Sequence, residues 1–250
     1  MTKQLLKLGK VPLERALSKL GIASRHQTRQ WILAGRIKVD HTLRRDPDFL
    51  VIPEKAFLEL DDRRITPPVK RTIVLYKPRG VVTTRSDERG RRTVFSLLGK
   101  DEQSLHAVGR LDMATSGLLL LTNDSQFSAW LTDPVNHIPR VYLATVQGRI
   151  TEEKLDMLKS GVKDRGERLA AQSIILRKAS GRESHLTIEL TEGKNREIRR
   201  MLAVVGHEVI SLKRVAFGGL TLGTLQPGQY QELSREQLRK FFQQVPMFGV

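Results

Sequence analysis

Arg110 and Asp112, followed by four consecutive leucines at Leu118 to Leu121, are the residues of this 250-residue chain whose types and spacing come closest to doing chemistry. Leucines bounded by Gly117 and Asn123-Asp124 predict a short strand covered on both faces, because a half-exposed strand alternates polar with apolar. Ala114-Thr115-Ser116-Gly117 reads as a small polar turn leading into that strand. An aspartate six residues before it would sit on a loop anchored by the core. There a carboxylate can be held in one geometry and partly shielded from water, as nucleophilic or acid/base work requires. Arg110 would keep it ionised or grip a phosphate. On spacing alone a merely structural Asp-Arg pair is the more economical reading, so the rest of the chain must decide.

Two further stretches carry chemistry-bearing side chains. Arg140 to Val146 alternates, with Val141, Leu143 and Thr145 on one side and Tyr142, Ala144 and Val146 on the other. Tyr142 therefore either packs in the core or looks into a site. Glu192-Gly193-Lys194-Asn195-Arg196-Glu197-Ile198-Arg199-Arg200-Met201 opens a helix with Ile198, Met201, Leu202 and Val205 as its apolar stripe and Gly206 as its stop. Its arginines cluster where backbone N–H groups point outward, an arrangement suited to an anion.

The elements that position these residues follow from punctuation. Pro12 and the spacing of Leu13, Ala16, Leu17 and Leu20 predict a first helix, and Ser24 caps a second over residues 25–34, closed by Gly35. Alternation at Arg36 to Val39 and Phe57 to Leu60 predicts a small sheet. Residues 61–68, polar and ending in two prolines, read as a linker. We therefore expect a domain over 1–68 and a second over 69–250. In the second, a strand over 72–76, a Lys-Pro-x-Gly turn and another strand over 81–84 are expected, then an exposed polar loop at 85–92. Asn123-Asp124-Ser125 would cap a short helix, Thr151 would begin another, strands are expected at 174–176, 186–190 and across 208–233, and Ser234 with Gln237 forms a capping box. Strands outnumber helices and no strand-helix-strand series appears, so the fold class is α+β with a mainly antiparallel, mixed sheet.

Composition narrows the partners. The net charge is +16, and residues 1–71 hold 16 Lys and Arg against 8 Asp and Glu, half of the whole excess. Such a bias favours a polyanion, and nucleic acid over membrane, since no Lys-rich amphipathic helix is evident. Arg25 and Arg29 stand one helical turn apart, and Arg36 and Lys38 share a strand face, which suits a nucleic-acid anchor. The chain has no cysteine, and no two of its six histidines lie within four residues, so thiolate and helical His-pair metal sites are absent. No metal is expected. Neither a signal peptide nor a run of roughly 18 apolar residues is present, so a cytoplasmic location is expected. GxGxxG and Walker loops are missing too, which weighs against a nucleotide-dependent enzyme or a Rossmann methyltransferase.

SRHQTRQWILAGRIKVD, residues 24–40, resembles the alpha-L RNA-binding motif, also called the S-four domain. His26 and Asp40-His41 depart from its usual residues. YKPRG (76–80), GRLDMATSGLLLLTND (109–124), RVYLATV (140–146) and EGKNREIRRM (192–201) together resemble the ordered motifs of the RsuA-type ribosomal RNA pseudouridine synthases. The resemblance implies an S-four domain followed by a pseudouridine synthase domain, and isomerisation of a uridine in ribosomal RNA without any cofactor. It makes Asp112 the catalytic aspartate, Tyr142 the residue stacked on the target uracil, and Arg199 the basic partner of the aspartate. Arg110 matches the arginine that helps extrude the nucleotide; Lys77 and Arg196 are expected to meet substrate. Arg25, Arg29, Arg36 and Lys38 would bind RNA. Arg140 and Glu197 stand where the family frequently has lysine and glutamine. The ribosomal large subunit is the favoured target and a monomer the default. The competing readings are a non-catalytic RNA-binding or ribosome-assembly protein and a different RNA-modifying enzyme.

Overall fold

The computed structural model describes residues 9–99, 102 and 104–243, and the chain divides into two compact units. One ends at Arg71 and takes in Asn123–Gln126; the other holds Thr72–Thr122 and the chain from Phe127 onward.

In the N-terminal unit, strand β1 (Val11–Pro12) leads into helix α1 (Leu13–Lys19), and α2 (Arg25–Leu33) follows. Ser24 caps α2, its hydroxyl accepting the Gln27 N–H at 3.3 Å. Strands β2 (Ile37–Val39), β3 (Thr42–Arg44), β5 (Leu58–Leu60) and β6 (Arg63–Arg64) form an antiparallel sheet in the order β3-β2-β5-β6, while β4 (Leu50–Val51) pairs with β1. Leu13, Leu17, Ile32, Ile37 and Val39 build a core of their own beneath the two helices. Residues 63–64, read as linker, instead pair with β5, because Asp61 and Asp62, both at positive φ, make a tight reversal.

The second unit is organised by one nine-stranded sheet. Along it run β13 (Ser173–Ala179), β14 (Glu183–Leu190), β10 (Arg140–Gln147), β15 (Val209–Phe217), β9 (Thr115–Thr122), β7 (Thr72–Lys77) and β17 (Tyr230–Glu232), with β8 (His106–Ala107) beside β9 and β16 (Leu220–Thr221) beside β15. Among the described residues, every pairing in this sheet is antiparallel except β15 with β9. A hairpin of β11 (Val162–Asp164) and β12 (Glu167–Leu169) lies off the sheet. The helices are α3 (Ser125–Thr132), α4 (Glu152–Ser160), α5 (Glu197–Val204) and α6 (Arg235–Phe241), the last closed at its start by the Ser234/Gln237 capping box.

The four leucines of β9 explain the layering. Leu119 and Leu121 join the core that α4 and α5 cover, through Leu155, Leu158, Ile198, Met201 and Leu202. Leu118 and Leu120 point the other way, into a core shared with Phe127 and Leu131 of α3 and with Phe217 and Phe242. Alternate side chains of a strand face opposite sides, so a strand buried on both faces must be apolar throughout.

Two local expectations are corrected. Residues 115–117 are not a turn: β9 already begins at Thr115, because Thr115, Ser116 and Gly117 pair in parallel with Leu212, Lys213 and Arg214. Gly117, at φ +109°, permits this approach; a Cβ there would stand 2.1 Å from the Arg214 carbonyl oxygen. Nor do residues 81–84 form a strand, beyond a single bridge between Val82 and Thr93. The Thr83 hydroxyl turns instead to the loop before β9.

Candidate active site

Asp112 lies on the loop entering β9, and neighbouring backbone fixes that loop from both sides. Thr83, 7% exposed, donates its hydroxyl to the Leu111 carbonyl at 2.8 Å and accepts the Leu111 N–H at 3.3 Å. Gly80 N–H donates to Met113 O at 2.8 Å, and Thr115 N–H to Asp112 O at 3.0 Å. Leu111 is buried in the core, so the residue before the aspartate anchors it while the Asp112 side chain stays about one-third exposed, at 35%. A carboxylate so placed is oriented without being stripped of water.

The loop opens onto a cleft of about 1000 Å³ whose lining includes Arg110, Asp112, Tyr142, Arg196 and Arg199. Five of the six catalytic and substrate residues expected from sequence thus meet in one place. Tyr142 faces inward with Ala144 and Val146, 8% exposed, and reaches both the core and the cleft wall. The two alternatives that its strand parity left open are therefore realised at once. Arg110 is exposed at the rim.

Arg196 is the residue paired with Asp112, its Nη1 standing 3.7 Å from Oδ2. It precedes α5 in a left-handed conformation, φ +49°, which turns the chain sharply into the helix. Arg199, one turn on, donates from Nη2 to Ala114 O at 3.2 Å and from Nη1 to Val209 O at 3.0 Å. It bridges the aspartate's own loop to β15 rather than taking the carboxylate directly. Burial draws the Arg199 guanidinium below its ordinary pKa, the Arg196 cation adds to this, and the Asp112 charge opposes it.

Lys77 is the exception among the six. It is fully buried and outside the cleft lining, with Nζ donating to Pro78 O at 3.0 Å and Val81 O at 2.7 Å. Burial lowers its pKa to about 8, and the Asp112 charge pulls the other way. Strand β7 alternates, so its last residue points into the core; the ammonium closes the turn at 78–81 instead of reaching outward.

The four cations of the N-terminal unit are differently engaged. Arg25 is exposed and, among the described residues, forms no ion pair, whereas Arg29 pairs with Glu14 at 3.0 Å, Arg36 with Asp61, and Lys38 with Asp62 at 2.5 Å.

Several cleft residues have no role assigned by the motifs. Arg140 and Arg214, 6% and 3% exposed, each stand 5.1 Å from the Phe217 ring centre, and Arg140 donates to Thr191 O and Leu131 O at 3.0 Å. Parity was the available signal, since Arg140 shares the inward side of β10 with Tyr142. The 85–92 loop also borders the cleft, folded on itself because Asp87 accepts Arg91 Nη2 at 2.6 Å and the N–H of both Arg89 and Arg91. Those bonds hold the Asp87 carboxyl down at about 2. Arg200, grouped by sequence with the anion-binding arginines, is committed to Asp164 at 2.5 Å and Glu167 at 2.6 Å.

Comparison with known proteins places the chain in a family. The sequence profile described as RNA pseudouridylate synthase matches residues 71–204, and that of the S4 domain matches residues 11–54. The chain is 33% identical over 231 residues to ribosomal large subunit pseudouridine synthase B of Bacillus subtilis (strain 168), covering 91% of this chain and 94% of that one. It is also 33% identical over 218 residues to ribosomal small subunit pseudouridine synthase A of Vibrio parahaemolyticus, covering 86% and 93%. A solved structure described as pseudouridylate synthase superposes with a TM-score of 0.65 at 26% identity, covering 92% of this chain and 99% of the other.

Proposed function

The chain belongs to the RNA pseudouridylate synthase family and is an isomerase that acts on RNA, and from that premise we propose that it converts one uridine of large-subunit ribosomal RNA to pseudouridine with Asp112 as the acting carboxylate. The observation that carries this reading is the convergence of Asp112, Tyr142, Arg110, Arg196 and Arg199 on a single cleft. The cleft, at about 1000 Å³, has room for one extruded nucleotide.

In this reading the target uridine leaves its stack and Arg110, at the rim, occupies the gap. The uracil stacks on Tyr142, whose ring is fixed by β10. Asp112 acts at the nucleoside while the C1′–N1 bond breaks; the freed uracil turns, C1′ bonds to C5, N1 gains a proton and the C5 proton departs. No electrons are exchanged and no cofactor is required. Arg196 pairs with Asp112, and Arg199 holds the Asp112 loop against β15. Lys77 shapes the 78–81 turn from behind rather than meeting substrate.

The N-terminal unit, which carries the S4 match, anchors the RNA through its basic face, with Arg25 and the pairs at Arg29, Arg36 and Lys38 exchanging carboxylates for phosphates. The large-subunit target is supported by the Bacillus relative; the protein acts as a monomer in the cytoplasm, where ribosomes assemble.

The test is tritium release from ribosomal RNA that carries 5-tritiated uridine and was made without this enzyme, comparing wild type with Asp112→Asn. Release by the wild type alone from 23S RNA supports the proposal, and release from 16S RNA only moves the target to the small subunit. Equal release by both proteins removes Asp112 from the chemistry.

A further inference from the structure

The turn that carries Arg196 is closed by a pair of carboxyl groups. Glu197, 3% exposed, accepts the Lys194 N–H on Oε2 at 3.0 Å while its own N–H donates to Lys194 O at 3.3 Å, so side chain and backbone staple the turn reciprocally. Its Oε1 is buried and meets no donor among the described residues. A second carboxyl, Glu192, stands at the same turn, and with burial it disfavours the charged form of Glu197. Burying an ionised carboxylate with one oxygen unpartnered beside a second carboxylate is costly, so one of the pair carries a proton. Glu192 is bound by Lys194 Nζ at 2.6 Å and is the more exposed, which leaves Glu197 as the protonated member.

Resting on the reading of Asp112 as the acting carboxylate, we propose that Glu197 is a positioning residue that works in its protonated form: buried beside Glu192 and stapled to the Lys194 backbone, it holds the turn that presents Arg196 to Asp112. The groups facing it are Glu192 and Lys194 from the turn and Arg140 from β10. Burial, with Glu192 adding to it, raises the Glu197 pKa to about 7, so the proton is held in the lower physiological range and lost just above it. Loss places two anions together, opens the staple and lets Arg196 drift from the 3.7 Å pairing.

The experiment measures kcat and KM for tritium release from about pH 5.5 to 9 in the wild type, Glu197→Gln and Glu197→Ala. Gln is neutral at every pH and keeps both a donor and an acceptor; Ala keeps neither. We expect kcat of the wild type to fall about tenfold per pH unit above about 7, with KM changing less. Glu197→Gln should retain the low-pH rate within about threefold and lose the fall, and Glu197→Ala should be slow throughout. A Gln variant that falls in parallel with the wild type, or one inactive at every pH, overturns the proposal. Thermal melting of the same proteins supplies a readout independent of activity. Relative to Glu197→Gln, the wild type should lose stability as pH rises from about 4.5, the ordinary carboxyl value, to about 7 and level off above it, since only in that window does the native state hold a proton that the unfolded chain has released. Parallel melting curves overturn the protonated pair; absence of tritium release alongside divergent melting curves refutes the proposed reaction and leaves the pair standing.

Discussion

Gly117→Ala tests whether the approach of β9 to β15 positions the acting carboxylate. A Cβ at this position would meet Arg214 O at 2.1 Å, Arg214 N at 2.7 Å and Arg214 C at 2.9 Å, all backbone atoms that cannot swing aside. The residue also sits at φ +109°, where an L side chain costs about 1–3 kcal/mol. Relief requires the two strands to part, weakening a parallel ladder of three residue pairs at about 1 kcal/mol per hydrogen bond lost. Together these give about 3–5 kcal/mol, a large fraction of a total stability of about 5–15 kcal/mol. Unfolding in urea, followed by a probe in the second unit, should show this loss, and thermal melting should move down by about 10 °C. Asp112 is carried on the loop entering the same strand, so its displacement by about 1 Å should lower kcat by about 100-fold with a smaller effect on KM. A stability change under about 0.5 kcal/mol together with kcat within about twofold of wild type would refute the reasoning.

Four other substitutions extend the test, two beside the site and two in the N-terminal unit. Thr83→Val preserves shape but strands the N–H and carbonyl of Leu111, so urea unfolding should report a loss of about 1–3 kcal/mol and turnover should fall as the Asp112 loop loosens. Lys77→Met removes an ammonium whose pKa is lowered to about 8. The wild-type native state binds fewer protons than the unfolded chain between there and the ordinary lysine range, so its stability rises through that window. Between about pH 8 and 10 the wild type should gain about 2–3 kcal/mol relative to Lys77→Met in urea titrations, and equal slopes would contradict a buried lysine. In the N-terminal unit, Arg25→Ala should weaken RNA binding more than Arg36→Ala, because Arg36 must first release Asp61; salt titration of binding should show the shallower slope for Arg25→Ala.

Much of this arrangement is legible from residue patterns because it rests on local rules. The Ser24 cap, the inward parity of Tyr142 and the apolar run at Leu118 to Leu121 each follow from spacing alone, and the structure realises all three. What sequence hides is pairing over distance. Thr115 to Gly117 look like a turn until Leu212 to Arg214 come alongside, and Val81 to Thr84 look like a strand until Thr83 finds Leu111. The ion pair with Asp112 is likewise a matter of where the chain turns: the left-handed backbone at Arg196 brings that side chain forward, while Arg199 is spent on two carbonyls. Lys77 has the composition of a surface residue and is placed inside by strand parity. No motif predicts a carboxyl pair at Glu192 and Glu197, since their meeting depends on the turn between them.

The parallel pairing of β9 with β15 also governs when activity can arise. Thr115 and Leu212 are separated by about 100 residues, so closing their ladder carries a large entropic cost that only later contacts repay. During synthesis the carboxylate loop emerges long before β15 does, and until then the start of β9 has no neighbour on that side. The site therefore completes late in the folding of its unit: β7 and β9 can pair early, while cleft and catalyst wait for the strand from 209 to 217.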